Sequence, residues 1–517
     1  MEKKTKILWV DDEIEFLRPY IIFLEKKGFS LSTATNGDDA ISMVTESDFD
    51  LIFLDENMPG LSGLEVLSRV KSLKPFLPVV MITKSEEENI MDDAIGSKIA
   101  DYLIKPVNPN QILLTIKKNI DTKRLVSEKT TSSYQSQFGK LSMSINSASS
   151  FKDWTDVYRS LVFWELELKA SGDATMDEVL KHQKEEANRE FSRFIQKNYK
   201  QWFDERVEER PLLSPSVFPR KVFPFLEKGH KVFFILIDNL RYDQWKILEK
   251  DILELCTLEE EEIYCGILPT ATQYARNAMF AGLMPEEIFS IHPELWVFDE
   301  EEGGKNLMEK ELFEKQLART GLKSTFHYEK ISNQRAGKKL VEMVSNLMNF
   351  DLNVIIYNFV DMLSHARTDT EMIRELADNE AAYRSLTLSW FRHSHLLDLF
   401  RILKGRDIQV ILTTDHGSIK VENPVKVVGD KKTSSNLRYK LGRNLDYNPR
   451  EVFEIRDPSA IHLPKPNISS SFIFAKGNDF LVYPNNYNHF VNYYRNTFQH
   501  GGVSMEEMMI PLVRLSF

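Results

Sequence analysis

The sequence has few cysteines, no long apolar run and no excess of positive charge. Its 517 residues include only Cys256 and Cys265, too few for a disulfide framework and typical of a reducing compartment. The longest strand-like apolar run, Val232 to Ile237, is far shorter than the roughly 18 residues of a membrane span. The first residues lead directly into an apolar strand, without the apolar core of a signal peptide. We therefore expect a cytoplasmic protein.

The charge balance also argues against a DNA-binding protein. The chain carries 66 Lys+Arg against 77 Asp+Glu, a net charge of −11, which disfavours non-specific wrapping of DNA. It shows no helix-turn-helix or winged-helix pattern. Its 42% hydrophobic and 28% charged residues are ordinary for globular domains. At roughly 150 residues per domain, the length predicts about three domains.

Apolar runs divide the chain into two α/β parts separated by a helical middle. The first part alternates short apolar runs with helical stretches, as a parallel sheet requires. Residues 127–150 include 11 Ser or Thr in 24 positions, which predicts a linker or a weak helix. We place the domains at residues 1–121, 122–210 and 211–517. The predicted fold class is α/β, with a flavodoxin-like first domain, a helical bundle and an α/β sandwich.

Acidic residues follow two strands of the first part. Asp11 and Asp12 come after Ile7–Val10, and Asp55 comes after Leu51–Leu54. Because the carboxyl ends of parallel strands meet at one sheet edge, these carboxylates should converge. Three hard oxygen ligands in a cleft suit Mg²⁺.

Two further strand ends carry groups that could bind phosphate. Thr83 follows Val79–Ile82, and Lys105 follows Tyr102–Ile104. A hydroxyl and an ammonium there could bind the oxygens of a phosphorylated Asp55. Pro106 is a candidate for a cis peptide bond that would aim Lys105.

Together these residues resemble the receiver domain of two-component response regulators, over residues 4–121. The stretch FLDENMPGLSG, Phe53–Gly63, is similar to the phosphorylation loop of that family. The resemblance implies that Asp55 is the phosphoacceptor and a histidine kinase the donor. It adds the carbonyl of Asn57 to the Mg²⁺ ligands, and it implies that Thr83, Tyr102 and Lys105 act as switch residues.

In the last part, three buried strands end in acidic and histidine residues. VFFILID ends at Asp238, VIIYNFVDMLSH contains Asp361 and His365, and VILTTDHG ends in Asp415 and His416. The nearly continuous apolar runs are typical of buried parallel strands. Asp361 and His365 are one helical turn apart, so both can face one metal ion if a helix begins there. Aspartate with histidine suits Zn²⁺ or Mn²⁺ better than Mg²⁺.

A threonine-containing segment supplies a candidate nucleophile. The sequence LPTATQYARN, residues 268–277, contains Thr270 and Thr272. A threonine hydroxyl is a poor nucleophile at neutral pH, but a metal-bound alkoxide is a good one. Thr272 is the candidate nucleophile, and Thr270 is the alternative.

This arrangement resembles the alkaline phosphatase superfamily through its PglZ-type domain, over about residues 225–517. The resemblance implies two zinc ions and a nucleophilic Thr272. One zinc would be bound by Asp238, Thr272, Asp415 and His416, and the other by Asp361, His365 and His500. Asn277 would bind phosphate, although it stands five positions after Thr272 where the nucleotide phosphodiesterase branch has its asparagine three positions on.

A basic stretch in the same domain is a candidate substrate loop. Lys426 to Arg443 holds six Lys and Arg against only Asp430, a net charge of +5 in 18 residues. A basic loop with an interleaved aromatic residue can follow a phosphate backbone and stack on a base. The candidate substrate contacts are Arg438, Tyr439, Lys440 and Arg443. The alternative is a solvated loop whose charges pair with acids elsewhere.

The order of the three parts resembles the PorX-type response regulators of type IX secretion and gliding in Bacteroidetes. That resemblance implies a zinc-dependent phosphodiesterase that acts on cyclic or linear oligonucleotides and dimerises on phosphorylation. The implied partners are a PorY-like sensor histidine kinase, a PorL-like secretion-motor protein and an extracytoplasmic-function sigma factor.

Two other functions fit the same residues. One is a catalytically idle scaffold that dimerises under phosphorylation control and binds a sigma factor and a secretion-motor protein, because a fold does not guarantee activity. The other is a monoesterase or a phosphoglycerate-mutase-like enzyme of the same superfamily. The full set of ligands together with Thr272 favours an active enzyme over a scaffold.

Overall fold

The computed structural model describes residues 5–74, 77–84, 99–172, 174–204, 206–207, 209–299, 301, 304–369, 375–376, 379–430 and 433–517, with backbone alone at 120–128, 174–175 and 367–369. The chain forms two compact units. The first comprises residues 1–134 and 171–173, and the second comprises residues 135–170 and 174–517.

The first unit is built on a five-stranded parallel sheet with the strand order β2-β1-β3-β4-β5. This is the flavodoxin-like doubly wound order, as predicted from the sequence. Its elements are β1 (Lys6–Val10), α1 (Arg18–Lys26), β2 (Ser30–Ala34), α2 (Gly37–Glu46), β3 (Leu51–Asp55), α3 (Gly63–Leu73), β4 (Val79–Thr83), β5 (Asp101–Ile104) and α4 (Pro109–Ser147).

One feature of this unit differs from the sequence prediction. Strand β2 has the sequence SLSTA and was missed because it lacks an apolar run. The Ser/Thr-rich segment, predicted as a linker or a weak helix, is helical as far as Ser147, where α4 ends. Leu141 and Ile145 are buried one turn apart on this helix. This apolar stripe outweighs the weak helix propensity of serine and threonine.

Two helices, α5 (Phe151–Ser171) and α6 (Ala174–Asn198), form the helical middle that the sequence predicts. The ring of Trp154 on α5 lies 5.4 Å from that of Phe191 and 6.1 Å from that of Phe194, both on α6. All three side chains are buried, so α5 and α6 pack through an aromatic seam.

A six-stranded mixed sheet with the order β7-β18-β10-β6-β9-β8 forms the centre of the second unit. Strands β10, β6, β9 and β8 are parallel, whereas β18 and β7 are antiparallel to their neighbours. The strands are β6 (Lys231–Ile237), β7 (Thr257–Cys265), β8 (Phe326–Ile331), β9 (Leu352–Tyr357), β10 (Ile408–Thr413) and β18 (Met509–Ser516). The three predicted strands are therefore neighbours, β10-β6-β9, so their carboxyl ends share one edge.

Helices connect and flank these strands. They are α7 (Phe223–Glu227), α8 (Tyr242–Leu253), α9 (Thr272–Ala281), α10 (Pro285–Ile291), α11 (Glu309–Thr320), α12 (Gln334–Glu342), α13 (Val344–Leu347), α14 (Phe359–Asp369), α15 (Glu380–Arg392), α16 (His395–Leu403), α17 (Tyr487–Tyr494) and α18 (Met505–Met508). Within the described ranges, none has the length and apolar character needed to cross a bilayer.

The segment between β10 and β18 forms small sheets. Their strands are β11 (Ile419–Lys420), β12 (Asn423–Lys426), β13 (Tyr439–Gly442), β14 (Val452–Ile455), β15 (Ser471–Ala475), β16 (Asp479–Val482) and β17 (Phe498–Gln499). Strands β11 and β17 pair, β12 and β16 pair, and β13, β15 and β14 form a three-stranded sheet. The predicted substrate loop therefore ends in β13, a strand with every residue buried.

Candidate functional site

Three carboxylates meet at the edge of the first sheet, where the strand order reverses between β1 and β3. One oxygen each of Asp11, Asp12 and Asp55 lies within 4.8 Å of the others. Asp11 and Asp55 are buried, whereas Asp12 is exposed. The structure thus brings together the three acids that the sequence predicts to converge.

Lys105 supplies the positive charge of this group. Its Nζ donates to Asp11 Oδ2 at 2.8 Å and lies 3.0 Å from Asp55 Oδ2. Burial acts to lower the pKa of Lys105, but its hydrogen bonds to the two carboxylates raise that pKa above the ordinary value. Burial raises the pKa of Asp55, an effect that the hydrogen bond from Lys105 opposes. The peptide bond between Lys105 and Pro106 is cis.

The remaining predicted residues of this site differ in exposure. Thr83 is buried and its hydroxyl donates to the carboxylate of Glu56, a residue that sequence reasoning missed. Tyr102 is 41% exposed and Asn57 is exposed.

In the second unit, seven predicted residues collect at the edge formed by β6, β9 and β10. Six of them form two groups, Asp238–Asp415–His416 and Asp361–His365–His500, and within each group one candidate ligand atom of each residue lies within 4.8 Å of the others. We call them the inner cluster and the outer cluster, because the first is fully buried and the second is partly exposed. Thr272 stands at the inner cluster, as described below.

The inner cluster has two carboxylates and one imidazole. His416 Nε2 lies 4.0 Å from Asp238 Oδ1 and 3.7 Å from Asp415 Oδ2. Burial raises the pKa of Asp238 well above its ordinary value. Burial also acts against the charged form of Asp415, but His416 and Arg276 lower the pKa of that carboxyl to about 2.

The outer cluster has one carboxylate and two imidazoles. Asp361 and His365 lie on α14, as the one-turn spacing predicts, with 3.5 Å between Asp361 Oδ2 and His365 Nε2. His500 Nε2 is 3.9 Å from Asp361 Oδ1. The rings of His416 and His500 stack with centroids 4.1 Å apart, so the two clusters are adjacent.

Backbone carbonyls orient two of the histidines. His416 Nδ1 lies 3.1 Å from the carbonyl of Gly417, and His500 Nδ1 lies 3.2 Å from the carbonyl of Thr270. Because a carbonyl only accepts, each Nδ1 donates and leaves the lone pair on Nε2, the atom that faces its cluster. Burial and the two neighbouring imidazoles lower the pKa of His500 well below its ordinary value, which keeps it neutral.

These donor sets fit a divalent metal. Asp238 Oδ1 and Asp415 Oδ2 are buried without a hydrogen-bond partner, a state that buried carboxylate oxygens rarely adopt. A cation in the inner cluster would satisfy both. Neutral imidazoles together with carboxylates form the nitrogen and oxygen set that Zn²⁺ accepts.

The two candidate nucleophiles differ in environment. Thr272 is the first residue of α9, and its Oγ1 lies 3.1 Å from His416 Nε2. The Thr270 hydroxyl is fully buried, donates to the Gly502 carbonyl and accepts from the Gly501 amide. The Thr270 hydroxyl is thus occupied by backbone, and only Thr272 presents its hydroxyl to the inner cluster.

Sequence reasoning missed a buried arginine beside the inner cluster. Arg276 lies one turn after Thr272 on α9, and its Nη2 donates to Asp238 Oδ2 at 3.0 Å. Its Nε lies 3.0 Å from Glu309 Oε1 and 3.4 Å from Asp415 Oδ2. The spacing of four from Thr272 was the available signal, since residues four apart share a helix face.

Three of the four predicted substrate-contact residues of the basic stretch are buried. Arg438 is fully buried in an ion pair with Glu507, and Lys440 is buried with its Nζ 4.3 Å from the Tyr483 ring. Tyr439 is also buried, and its ring lies 5.8 Å from that of Tyr274.

Within the described part of the stretch, Lys426 and Arg443 are exposed, and Lys431 and Lys432 fall outside the described residues. Asn277 donates to the carbonyl of Lys305 at 3.1 Å. The stretch therefore does not present Arg438 or Lys440 to solvent, because Lys440 lies in the buried strand β13 and Arg438 is buried directly before it.

Comparisons with known proteins match each part of the chain. Family models match the "response regulator receiver domain" at residues 7–117, the "PorX response regulator linker domain" at 124–203 and the "BREX system PglZ alkaline phosphatase-like domain" at 217–515. The last match covers more than half of the chain. The three descriptions follow the order of the predicted parts and match a PorX-type regulator.

Two curated relatives match a part of the chain of the size of the receiver domain. The transcriptional regulatory protein ResD of Bacillus subtilis is 37% identical over 114 residues, which cover 22% of this chain and 47% of ResD. The alginate biosynthesis regulator AlgB of Pseudomonas aeruginosa is 35% identical over 124 residues, covering 24% of this chain and 28% of AlgB. The chain thus spans less than half the length of these relatives.

Solved structures match the same part. A CheY-like receiver domain from Methanospirillum hungatei is 26% identical, covers 23% of this chain and 96% of that chain, and has a TM-score of 0.23. The response regulator TrrA of Thermotoga maritima, solved in complex with Mg²⁺-BeF, is 28% identical, covers 22% of this chain and 98% of that chain, and has a TM-score of 0.21.

Proposed function

We propose that this chain, which belongs to the PglZ alkaline phosphatase-like family and carries a response regulator receiver domain, is a zinc-dependent phosphodiesterase under phosphorylation control. The receiver and its output domain make the chain a two-component regulator, and a receiver implies a cognate histidine kinase. The proposed domains are 1–121, 122–210 and 211–517. We propose that the substrates are cyclic or linear oligonucleotides and that the protein acts in the cytoplasm.

One observation carries the proposal. Two metal-compatible clusters are adjacent, and the hydroxyl of Thr272 lies 3.1 Å from Nε2 of an inner-cluster histidine. In a two-metal site the ions stabilise both the attacking and the leaving oxygen of an in-line displacement. Asp238, Asp415, His416 and Thr272 would hold one zinc ion, and Asp361, His365 and His500 would hold the other.

The residues of the chain set up the reaction around Thr272. Its position at the first turn of α9 would place a bound phosphate near the backbone amides of that turn and the positive end of the helix. Arg276 holds the carboxylates of Asp238 and Asp415 at the cluster and balances their charge. The Thr272 hydroxyl is the group oriented for attack on phosphorus.

In the receiver, Asp11, Asp12, Asp55 and the carbonyl of Asn57 would hold Mg²⁺, which accepts phosphate oxygens. Asp55 would take the phosphoryl group, and Lys105 lies 3.0 Å from its Oδ2 to bind an added oxygen. By likeness to PorX-type regulators, we also propose a role in type IX secretion and gliding, dimerisation on phosphorylation, and the PorY-like, PorL-like and sigma-factor partners.

The test is hydrolysis of a short cyclic oligonucleotide and a chromogenic phosphodiester by the full chain. We expect cleavage with zinc, loss of cleavage after chelation, and a loss of at least about 100-fold in Thr272→Ala with two zinc ions still bound. Thr272→Ser keeps a hydroxyl and should retain measurable turnover, whereas Thr270→Ser should match wild type.

Two outcomes would contradict the proposal. Full activity in Thr272→Ala would exclude Thr272 as the nucleophile. Two bound zinc ions without cleavage of either substrate would favour the catalytically idle, phosphorylation-controlled scaffold.

A further inference from the structure

The turn that follows His500 is bonded along its length to Thr270. The hydroxyl of Thr270 accepts from the Gly501 amide at 3.1 Å and donates to the Gly502 carbonyl at 2.9 Å. The carbonyl of Thr270 lies 3.2 Å from His500 Nδ1. One buried residue therefore contacts three successive residues of the turn.

A buried ion pair holds the same turn from a second direction. Glu507 Oε1 accepts from the Gly502 amide at 2.9 Å and from Arg438 Nε at 3.0 Å. Glu507 Oε2 accepts from Arg438 Nη2 at 2.6 Å and from Ser504 Oγ at 2.7 Å. Arg438 also donates through Nη1 to the carbonyl of Asp479, so the pair is anchored on β16 as well.

The two glycines of the turn allow this close approach. A Cβ at Gly502 would lie 2.8 Å from Arg438 Nη2 and 2.7 Å from the Ala475 carbonyl. At Gly501, whose φ is +121°, a Cβ would lie 2.6 Å from the Tyr439 ring. Arg438 and Tyr439 thus contact the backbone of the turn after His500 closely, so this turn cannot move toward them.

We propose that Thr270, Arg438 and Glu507 are positioning residues that hold His500 as a ligand of the outer cluster. The proposal rests on the proposed metallophosphoesterase function. It gives Arg438 a role other than substrate contact and Thr270 a role other than nucleophile. Groups that orient a metal-bound histidine commonly affect metal affinity by 10- to 100-fold.

The inner cluster has a separate support. Its carboxylates are held by Arg276, which is paired with Glu309, and Glu309 in turn accepts from Tyr328 Oη at 2.7 Å. No residue is shared between this network and the Glu507 pair among the described contacts. Disrupting the ion pair between Glu507 and Arg438 should therefore weaken the binding of one metal ion and leave the binding of the other unchanged.

The experiment uses the full chain. It measures the number of zinc ions bound per chain and, by competition with a chelator, the affinity for each ion. The variants are Glu507→Gln and Thr270→Val, which keep side-chain size, with Thr270→Ser as the rescue. The matched control is Glu165→Gln, which removes a different buried carboxylate that is paired with Arg384. Circular dichroism checks that every variant is folded at the assay temperature.

We expect wild type, Thr270→Ser and Glu165→Gln to bind two zinc ions. Glu507→Gln and Thr270→Val should bind one of the two ions about 10- to 100-fold less tightly and keep wild-type affinity for the other. Should Glu507→Gln fail to fold, Thr270→Val decides, because it removes one hydroxyl alone.

Two results would overturn the inference, and they are distinguishable. Wild-type affinity for both ions in Glu507→Gln and Thr270→Val would refute the positioning role and leave the proposed function standing. Wild type that binds no zinc would refute the proposed function and the inference with it.

Discussion

At the scale of single residues, the buried cations of the second unit have different environments. Arg276 and Arg438 each form ion pairs with buried carboxylates, whereas Lys440 lies over the ring of Tyr483, with Nζ 4.3 Å from its centroid. Burial lowers the pKa of Lys440 to about 7. An ammonium group in this position is costly when charged, so Lys440 should make stability depend on pH.

Lys440→Met should remove that dependence. The folded pKa of about 7 lies below the unfolded value of 10.5, so the unfolded state binds more protons between these values and wild-type stability rises with pH. Below pH 7 the variant should be more stable than wild type. Above pH 7 the difference between their free energies of unfolding should shrink by at most about 1.4 kcal/mol per pH unit. Urea unfolding at several pH values measures this, with the exposed Arg443→Met as control; parallel curves for wild type and Lys440→Met would contradict it.

At the scale of elements, partly buried ion pairs join the helical middle to helices that flank the six-stranded sheet. Lys184 on α6 lies 2.6 Å from Glu165 on α5, and Arg384 on α15 pairs with both Glu165 and Asp243 of α8. Asp243 also pairs with Arg241, three residues after the inner-cluster Asp238. Burial acts against the charged form of Glu165, but Lys184 and Arg384 outweigh it and hold its pKa well below the ordinary value.

Glu165→Gln should therefore destabilise the second unit. Removing one partner of a fully buried ion pair typically costs about 3–5 kcal/mol, and we expect a smaller loss here because Arg384 keeps its pair with Asp243. We expect a lower melting temperature, measured by calorimetry, with zinc content unchanged at room temperature. The more exposed ion pair of Glu454 and Arg456 offers a control, since Glu454→Gln should change the melting temperature little. Equal melting temperatures for wild type and Glu165→Gln would contradict the expectation.

At the scale of the whole molecule, Asp55 belongs to the first compact unit, and the inner and outer clusters belong to the second. Helix α4, from Pro109 to Ser147, contributes residues to both units. A phosphoryl group on Asp55 would add close to two negative charges beside Lys105. Couplings of this kind are typically about 1–3 kcal/mol, enough to change a dimerisation constant by one to two decades.

Phosphorylation should therefore change the oligomeric state. Sedimentation of the full chain with Mg²⁺ and beryllofluoride should show a shift from monomer toward dimer. Asp55→Asn should show no shift, and Thr272→Ala should shift as wild type does, because its receiver is intact. An unchanged mass for wild type would exclude dimerisation as the output of the switch.

Much of the candidate site could be predicted because its residues follow local patterns. Apolar runs that end in aspartate mark the carboxyl ends of buried strands, and adjacent parallel strands bring those ends to one edge. This is why Asp238, Asp361 and Asp415 could be assigned together. Strand β2 could not be predicted, and residues 127–150 could be predicted only as a linker or a weak helix, because local composition does not show what a segment packs against.

The sequence by itself determined the two α/β parts, the acidic edge of the receiver and the choice of metal-compatible side chains. Only the tertiary structure decided which polar residues face those groups. Arg438 lies in a basic stretch, yet strand pairing buries it against Glu507, 69 residues further along the chain. Arg276 and Thr270 acquired their partners in the same way. Burial and charge pairing depend on residues distant in sequence, so local composition does not reveal them.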